Sequence, residues 1–272
     1  DRKTDLYSAN ELFDRFVAAY ANADYSFDRK YSISATVRVD GSNALGKSAD
    51  KRWLPTWNFG AKWNIANEAF MQNATKIDAM GLRVSYGLNA SMGQATNSRA
   101  VYRNQEVYRP GNTENGITID WLENSELWEK SYQFNVGYDL SMFGGRLNFN
   151  FDYFDRQSFD LIDLIKVSGI GGEMWKYANY ADLSAHGFDV TLGGTMIKTK
   201  DWSWSANFTF GYATNKIKNA KNLAQVWDLV KQTGGNREGY SVNGLFSVPF
   251  AGLDPDTGLP MFYDNEGNVG LD

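Results

Sequence analysis

WSWSANFTFGY, residues 202–212, carries Trp202, Trp204, Ala206, Phe208, Phe210 and Tyr212 at every second position, with Ser203, Ser205, Asn207, Thr209 and Gly211 between them. A period of two sends the two sets to opposite faces of an extended strand, one aromatic and one small and hydrated. The same pattern recurs upstream. Tyr31, Ile33, Ala35, Val37 and Val39 alternate with polar residues, as do Trp57, Phe59, Ala61, Trp63 and Ile65, and then Leu82, Val84, Tyr86 and Leu88. Trp128 to Met142 in steps of two is interrupted only by Lys130; Leu147, Phe149, Phe151 and Tyr153 follow, then His186, Phe188, Val190, Leu192, Gly194 and Met196. With a less regular strand near 12–26, this predicts an all-β, antiparallel fold of about eight strands.

The connections alternate in length. Residues 27–30, 143–146 and 198–201 read as tight turns, and 66–79 as a moderate one with a short helix, whereas 41–55, 91–125, 157–182 and 217 onward read as long loops. Up-and-down strands with short turns at one end and long loops at the other are expected of a transmembrane β-barrel, turns in the periplasm and loops outside. The Ser, Thr, Asn and Gly face suits a wet lumen, and the Trp, Tyr, Phe and Leu face suits lipid with an aromatic girdle. The alternative is a β-sandwich, a soluble carbohydrate-binding or adhesive β-domain whose apolar face is a dry core; sandwich strands are shorter and favour Val, Ile and Leu.

Composition excludes several classes. In 272 residues, 43% are hydrophobic and 15% aromatic, more apolar area than a disordered chain carries. No apolar run approaches the roughly 20 residues of a membrane helix. The 27 basic against 32 acidic residues give a net charge of -5, so no nucleic-acid partner is expected. Without cysteine there is no disulfide, thiolate metal site or cysteine nucleophile. DRKTDLYSAN lacks the regions of a secretory signal, as expected of an internal piece or a processed chain.

Several stretches resemble one family. RKYSISATVRVDGSNALG (29–46) followed by RWLPTWNFGAKWNIANEAFM (52–71) is similar to the DGSS-type loop and the proline-to-"G-W-x-I-x-x-E-x-F-M" run of SusC/RagA-like TonB-dependent outer-membrane transporters, with Lys62 beside the expected tryptophan at Trp63. IDAMGLRVSYGLN (77–89), LWEKSYQFNVGYDLSMFGGRLNFNFDYFDRQSFDLI (127–162), LSAHGFDVTLGGTMIKTKDWSWSANFTFGYATNKI (183–217) and FAGLDPDTGLPMFYD (250–264) resemble later parts of the same barrel in the same order, with His186 in place of the usual Arg or Lys.

The resemblance implies a 22-stranded barrel plugged by an amino-terminal domain, a TonB box, and a SusD-like surface lipoprotein that captures substrate. On that basis residues 1–272 are expected to be a segment of one transmembrane barrel domain, about eight strands of the whole. A complete eight-stranded barrel would have to fill a narrow interior with its abundant inward Gly and Ser. The implied function is TonB-powered import of nutrient oligosaccharides, secondly oligopeptides, across the outer membrane of a Gram-negative, Bacteroidota-like cell. No bond is broken and no cofactor is needed.

The candidate substrate contacts are aromatic residues in otherwise polar loops: Trp53, Trp121, Trp175, Tyr177, Tyr180 and Trp227, on which sugar rings or peptide side chains stack. Arg103 and Arg109, together with Arg83, are candidates for carboxylates. His186, with Ser184, Asp182 and Asp189 nearby, has the composition of a hydrolase site, but its phase with Phe188 and Val190 favours a strand-end role. Asp254, Asp256, Asp264 and Glu266 supply oxygen ligands of the kind calcium takes; their spacing is not that of an EF-hand, and two Gly-containing turns explain them.

Overall fold

The computed structural model of the chain describes residues 15–42, 53–92, 101–109, 112–121, 128–166, 175–221, 224–264 and 266–270, with the backbone alone for 92, 101–109, 112–121, 164 and 175–178. The strands are β1 (Phe16–Phe27), β2 (Tyr31–Ser42), β3 (Trp53–Asn64), β4 (Ile77–Met92), β5 (Val101–Arg109), β6 (Asn112–Trp121), β7 (Trp128–Met142), β8 (Leu147–Lys166), β9 (Trp175–Lys198) and β10 (Ser203–Lys218). One helical turn, α1 (Val226–Leu229), precedes the short strands β11 (Phe250–Leu253), β12 (Pro260–Tyr263) and β13 (Val269–Gly270). Eight strands form one antiparallel sheet in the order β1-β2-β3-β4-β7-β8-β9-β10; β5–β6 and β11–β12–β13 pair separately. The sheet is open, since β1 and β10 do not pair with each other.

Its outer face carries the apolar set. Trp57, Phe59, Tyr86, Tyr132 and Phe159 form a chain of ring contacts 5.5–6.4 Å apart, and Phe151, Phe188, Phe210 and Tyr212 form another. Among the described residues no second layer covers these rings. Among the described residues only Leu54, Leu88, Ala181 and Ile217 are buried hydrophobics, while Phe208 is 60% exposed and Trp204 57%. A sandwich requires a dry core, which this sheet lacks; a face this apolar and this bare fits hydrocarbon. Among the described residues no helix is long and apolar enough to cross a membrane.

The pairing register gives the strand tilt. The line of cross-strand partners Tyr212, Phe188, Tyr153, Val136, Val84, Ala61, Ile33, Tyr25 starts ten residues above Trp202 in the β9–β10 turn and ends two residues above Phe27 in the β1–β2 turn. If the short turns share one rim, eight residues of about 3.3 Å are gained over seven spacings of about 4.8 Å, a slope that corresponds to a tilt of about 38°. Tilts of 35–45° are those of barrel walls. At that tilt the ten residues from Trp202 to Tyr212 climb about 25 Å along the normal, the height of a lipid-facing apolar band.

Two expected loops are corrected. Residues 91–125 contain the β5–β6 hairpin, and 157–182 contain the ends of two long strands, because β8 continues to Lys166 and β9 starts at Trp175. Above the apolar band the outer face is free to turn polar, so the period-two signal ends while the hydrogen-bond ladder does not. Compensating bulges mark the change: Asp160 adopts φ +58°, and Tyr180 is skipped between the partners of Leu161 and Ile162. Side chains stitch the irregularity closed. Asp182 accepts from Asp160 N (3.2 Å) and Asn219 Nδ2 (2.7 Å), Asn179 Nδ2 donates to Asp160 O, and Glu129 accepts from Ile162 N (2.9 Å).

At the turn end, two 3-10 turns (Ile65–Asn67 and Ala69–Met71) bring Glu68 over the stacked rings of Tyr31 and Trp63. Its carboxylate accepts from the Tyr31 hydroxyl and from Trp63 Nε1 (3.0 Å), with Lys30 Nζ at 3.6 Å. The Tyr31 hydroxyl, then the Trp63 indole, hold the carboxyl below its usual range. A depressed carboxyl contributes stability above its unfolded pKa, about 4.3, and loses it as pH falls through the lower folded value. Glu68→Gln should therefore flatten the acid limb of a stability-against-pH curve below about pH 5; parallel limbs for the two proteins would show that the contact carries no linkage.

Candidate functional site

The inner face is a polar wall whose position follows from the same alternation. Ser32, Ser34, Asn58, Lys62, Arg83, Ser85, Gln133, Asn135, Asp139, Asn150, Asp152 and Arg156 occupy the intervening positions of β2, β3, β4, β7 and β8. One cross-strand row runs Lys62, Arg83, Gly137, Asp152, Asp189, Gly211. Cations therefore lie on β3 and β4, and anions on β8 and β9. Gly137 in the middle is the gap that permits the central contact: a Cβ there would lie 2.7 Å from Arg83 Nη2 and 2.6 Å from Asp152 Oδ1.

Arg83 reaches across that gap. Its Nε donates to Asp139 Oδ2 (2.8 Å), and its Nη2 donates to Asp139 Oδ1 (3.1 Å) and Asp152 Oδ1 (3.0 Å). Asn150 Nδ2 also donates to Asp139 (2.7 Å). Higher up, Arg156 Nη2 donates to Gln133, Gln133 Nε2 to Asn135, and Asn135 Nδ2 to Ser85. A shallow cleft of about 300 Å³ opens beside Asp24, Ser34, Lys62, Arg83, Asn135 and Asp152. Arg83 and Asp152 are about half exposed, so solvent screens the pair. Arg83→Met should cost no more than about 1 kcal/mol at low salt, and that difference should shrink as salt is raised; a loss independent of salt would mean that packing, not charge, is what the arginine supplies.

The candidate aromatics do not form one site. Trp53 opens β3 on the outer face, in phase with Trp57, and its ring crosses Gly41, whose notional Cβ would be 2.8 Å from it. It lies ten residues above Trp63, at the upper edge of the apolar band, which is a girdle position. Tyr180 is the half-buried bulge residue of β9. Trp227 is 84% exposed on α1, which Lys166 pins to the end of β8 through Asp228 (3.0 Å). Trp53 is four strand spacings from β9, about 19 Å. Trp175 and Tyr177 fall at the start of β9, Trp121 at the end of β6 and Arg103 and Arg109 in β5, all expected in loops; their side chains lie outside the described residues.

His186 points to the outer face. Ser184 Oγ accepts from Gln157 Nε2 (2.9 Å), and no hydrogen bond joins it to the imidazole. Asp254 Oδ1 accepts from the backbone amides of Asp256 (2.8 Å) and Thr257 (2.9 Å), and Asp264 from Glu266 N and Asn268 N (both 2.8 Å). These bonds hold both carboxyls below their usual range, the Thr257 amide contributing most at Asp254 and the Asn268 side chain most at Asp264. Among the described residues no group of three or more acids or histidines converges on a metal position. The inner-wall row, by contrast, needs the register and was not legible as a cluster in the sequence; period two alone assigned its members to one face.

A tilted, open, two-faced sheet with a polar inner wall defines the class: a stretch of wall from a wide outer-membrane-type β-barrel. The chain belongs to the TonB dependent receptor-like β-barrel family, whose model matches residues 3–259, and it is SusC/RagA-like within it. It is 30% identical over 204 residues to TonB-dependent receptor P39 of Formosa agariphila, covering 73% of this chain and 19% of that protein. It is 23% identical over 294 residues to TonB-dependent receptor SusC of Bacteroides thetaiotaomicron, covering 100% of this chain and 29% of that protein. Among solved structures, the RagAB peptide transporter superposes with a TM-score of 0.80 at 24% identity, over 95% of this chain and 28% of that one. The chain thus spans under a third of the length of the relatives it matches.

Proposed function

We propose that this chain forms part of the wall of an outer-membrane importer of oligomeric nutrients, energised through TonB and working with a SusD-like surface lipoprotein. The observation that carries the reading is the two-faced tilted wall: rings without cover outside, and hydroxyl, amide and paired charged groups inside. Such a lumen passes hydrated, hydrogen-bonding cargo and performs no chemistry on it. The leading cargo is an oligosaccharide, because the inner face is rich in Ser, Thr, Asn and Gln and its central arginine is already committed to Asp139 and Asp152. Trp121, Trp175, Tyr177, Tyr180, Trp227, Arg103 and Arg109 remain the proposed contacts at the long-loop end. An oligopeptide is the second reading, favoured by the row from Lys62 and Arg83 to Asp152 and Asp189, which matches separated opposite charges.

The test is binding of the full-length receptor with its lipoprotein to a panel of neutral glycans and charged peptides. Saturable glycan binding weakened by Trp227→Ala supports the first cargo, and peptide binding that falls with added salt supports the second. Partition of the full-length protein into the aqueous phase without detergent would sink both.

A further inference from the structure

Above the apolar band, β9 and β10 keep their phase but change chemistry. On the outer face Phe188 is followed upward by His186 and Ser184, and Tyr212 by Thr214, Lys216 and Lys218. At the tilt derived above, Thr214 and Lys216 stand about 5 and 10 Å above Tyr212, at headgroup depth. The chain then returns to this place. Ile217 N donates to Tyr240 O (2.9 Å), Gly239 N donates to Ile217 O (2.9 Å), and Ser241 Oγ donates to Asn215 O (3.2 Å). The returning segment walls a cleft of about 540 Å³ lined by Ser184, His186, Thr214, Lys216, Lys218 and Tyr240.

The cleft is a set of donors short of acceptors. No described carboxylate lies within 4 Å of the Lys216 or Lys218 ammonium; the acids opposite on the same face, Asp182 across from Lys218 and Asp155 across from His186, accept instead from Asp160 N and Asn219 and from Gln157, and Glu238 accepts from Ala220 N. Directly below lie the lipid-facing rings of Phe188, Phe210 and Tyr212, the last two each in contact with Phe188 at 5.9–6.0 Å. Two ammoniums, an imidazole and hydroxyls over an apolar ring cluster match a phosphate attached to acyl chains, and lysine stems can lie along the rings while their heads stay in the polar layer.

We infer that this cleft binds the phosphorylated headgroup of an outer-leaflet lipid, with Lys216 and Lys218 on the phosphate and the acyl chains along Phe188, Phe210 and Tyr212. The inference rests on the orientation proposed above, with the long connections outside the cell. It concerns the outer face of the wall and is independent of the cargo in the lumen.

The test uses the full-length receptor in nanodiscs of phosphatidylcholine doped with a bisphosphorylated glycolipid or its dephosphorylated form, with retained glycolipid counted by native mass spectrometry. Wild type should retain the phosphorylated form preferentially. Lys216→Gln and Lys218→Gln should each lower retention by about fivefold, the weight of one basic residue at an anionic lipid surface. His186→Gln serves as a third, structurally mild variant, and heat-modified mobility on a gel confirms folding of each. Equal retention by folded variants, or no preference for the phosphorylated lipid, overturns the site. Leu245 is 82% exposed on the returning segment and the chain has no cysteine, so Leu245→Cys should react with an impermeant maleimide on intact cells. Labelling with unchanged lipid retention refutes the cleft alone; absence of labelling refutes the orientation, and the inference with it.

Discussion

Val136→Arg is expected to destabilise the refolded full-length barrel by about 2–4 kcal/mol, whereas Asn135→Arg one residue away should cost well under half of that. Val136 lies on the outer face between Val84 and Tyr153, and six residues above Met142 places it about 15 Å into a band of about 25 Å, near mid-depth. A guanidinium there is set between Val84 and Tyr153 with hydrocarbon outside, and the acid beside it, Asp155, lies diagonally across on β8 and already accepts from Gln157. Asn135 faces the wet side, where its replacement gives up one bond each with Ser85 and Gln133, and a charge stays hydrated. Urea unfolding in lipid vesicles measures both, and equal penalties would mean that the faces have been assigned the wrong way round.

The faces were legible because each strand in the band meets two different solvents, which stamps a period of two on the residues. Where one solvent lies on both sides, the stamp fades. In β1, Ala18, Ala19, Ala21 and Ala23 fall on both faces, and that strand reads as irregular until its register with β2 is known. In β8 and β9, Gln157 and Asp182 take the outer face above the band, so 157–182 reads as loop although the ladder runs on to Lys166 and Trp175. Register is the second quantity that local sequence does not encode. Arg83 meets Asp139 and Asp152 across 56 and 69 residues of chain, and the tilt emerges only from partner positions accumulated over eight strands. Trp53 shows both effects: its flanks read as loop, yet pairing with Gly41 carries the strand upward and turns the ring outward.

The second large effect is expected at Gly187. It sits buried on the inner face of β9, opposite Phe154 and Ala213, and a Cβ there would come within 2.4 Å of Tyr212 O and 2.8 Å of two carbons of the Phe154 ring. The ring can rotate away, but the carbonyl belongs to the main chain of β10 and moves only with that strand. Gly187→Ala is therefore expected to cost about 1–3 kcal/mol, the range for overpacking a tight site, despite alanine's lower backbone entropy in the unfolded chain. Gly194→Ala on the same strand is the control: its nearest neighbour is the flexible end of Met196, 3.2 Å away, so the change should stay within about 0.5 kcal/mol of wild type. Adding Phe154→Ala to Gly187→Ala separates the two obstacles. If the ring were the whole obstacle, the pair would couple fully and the glycine substitution would cost nothing once the ring is gone; with the β10 carbonyl as the main one, most of the penalty should persist in the double-mutant cycle.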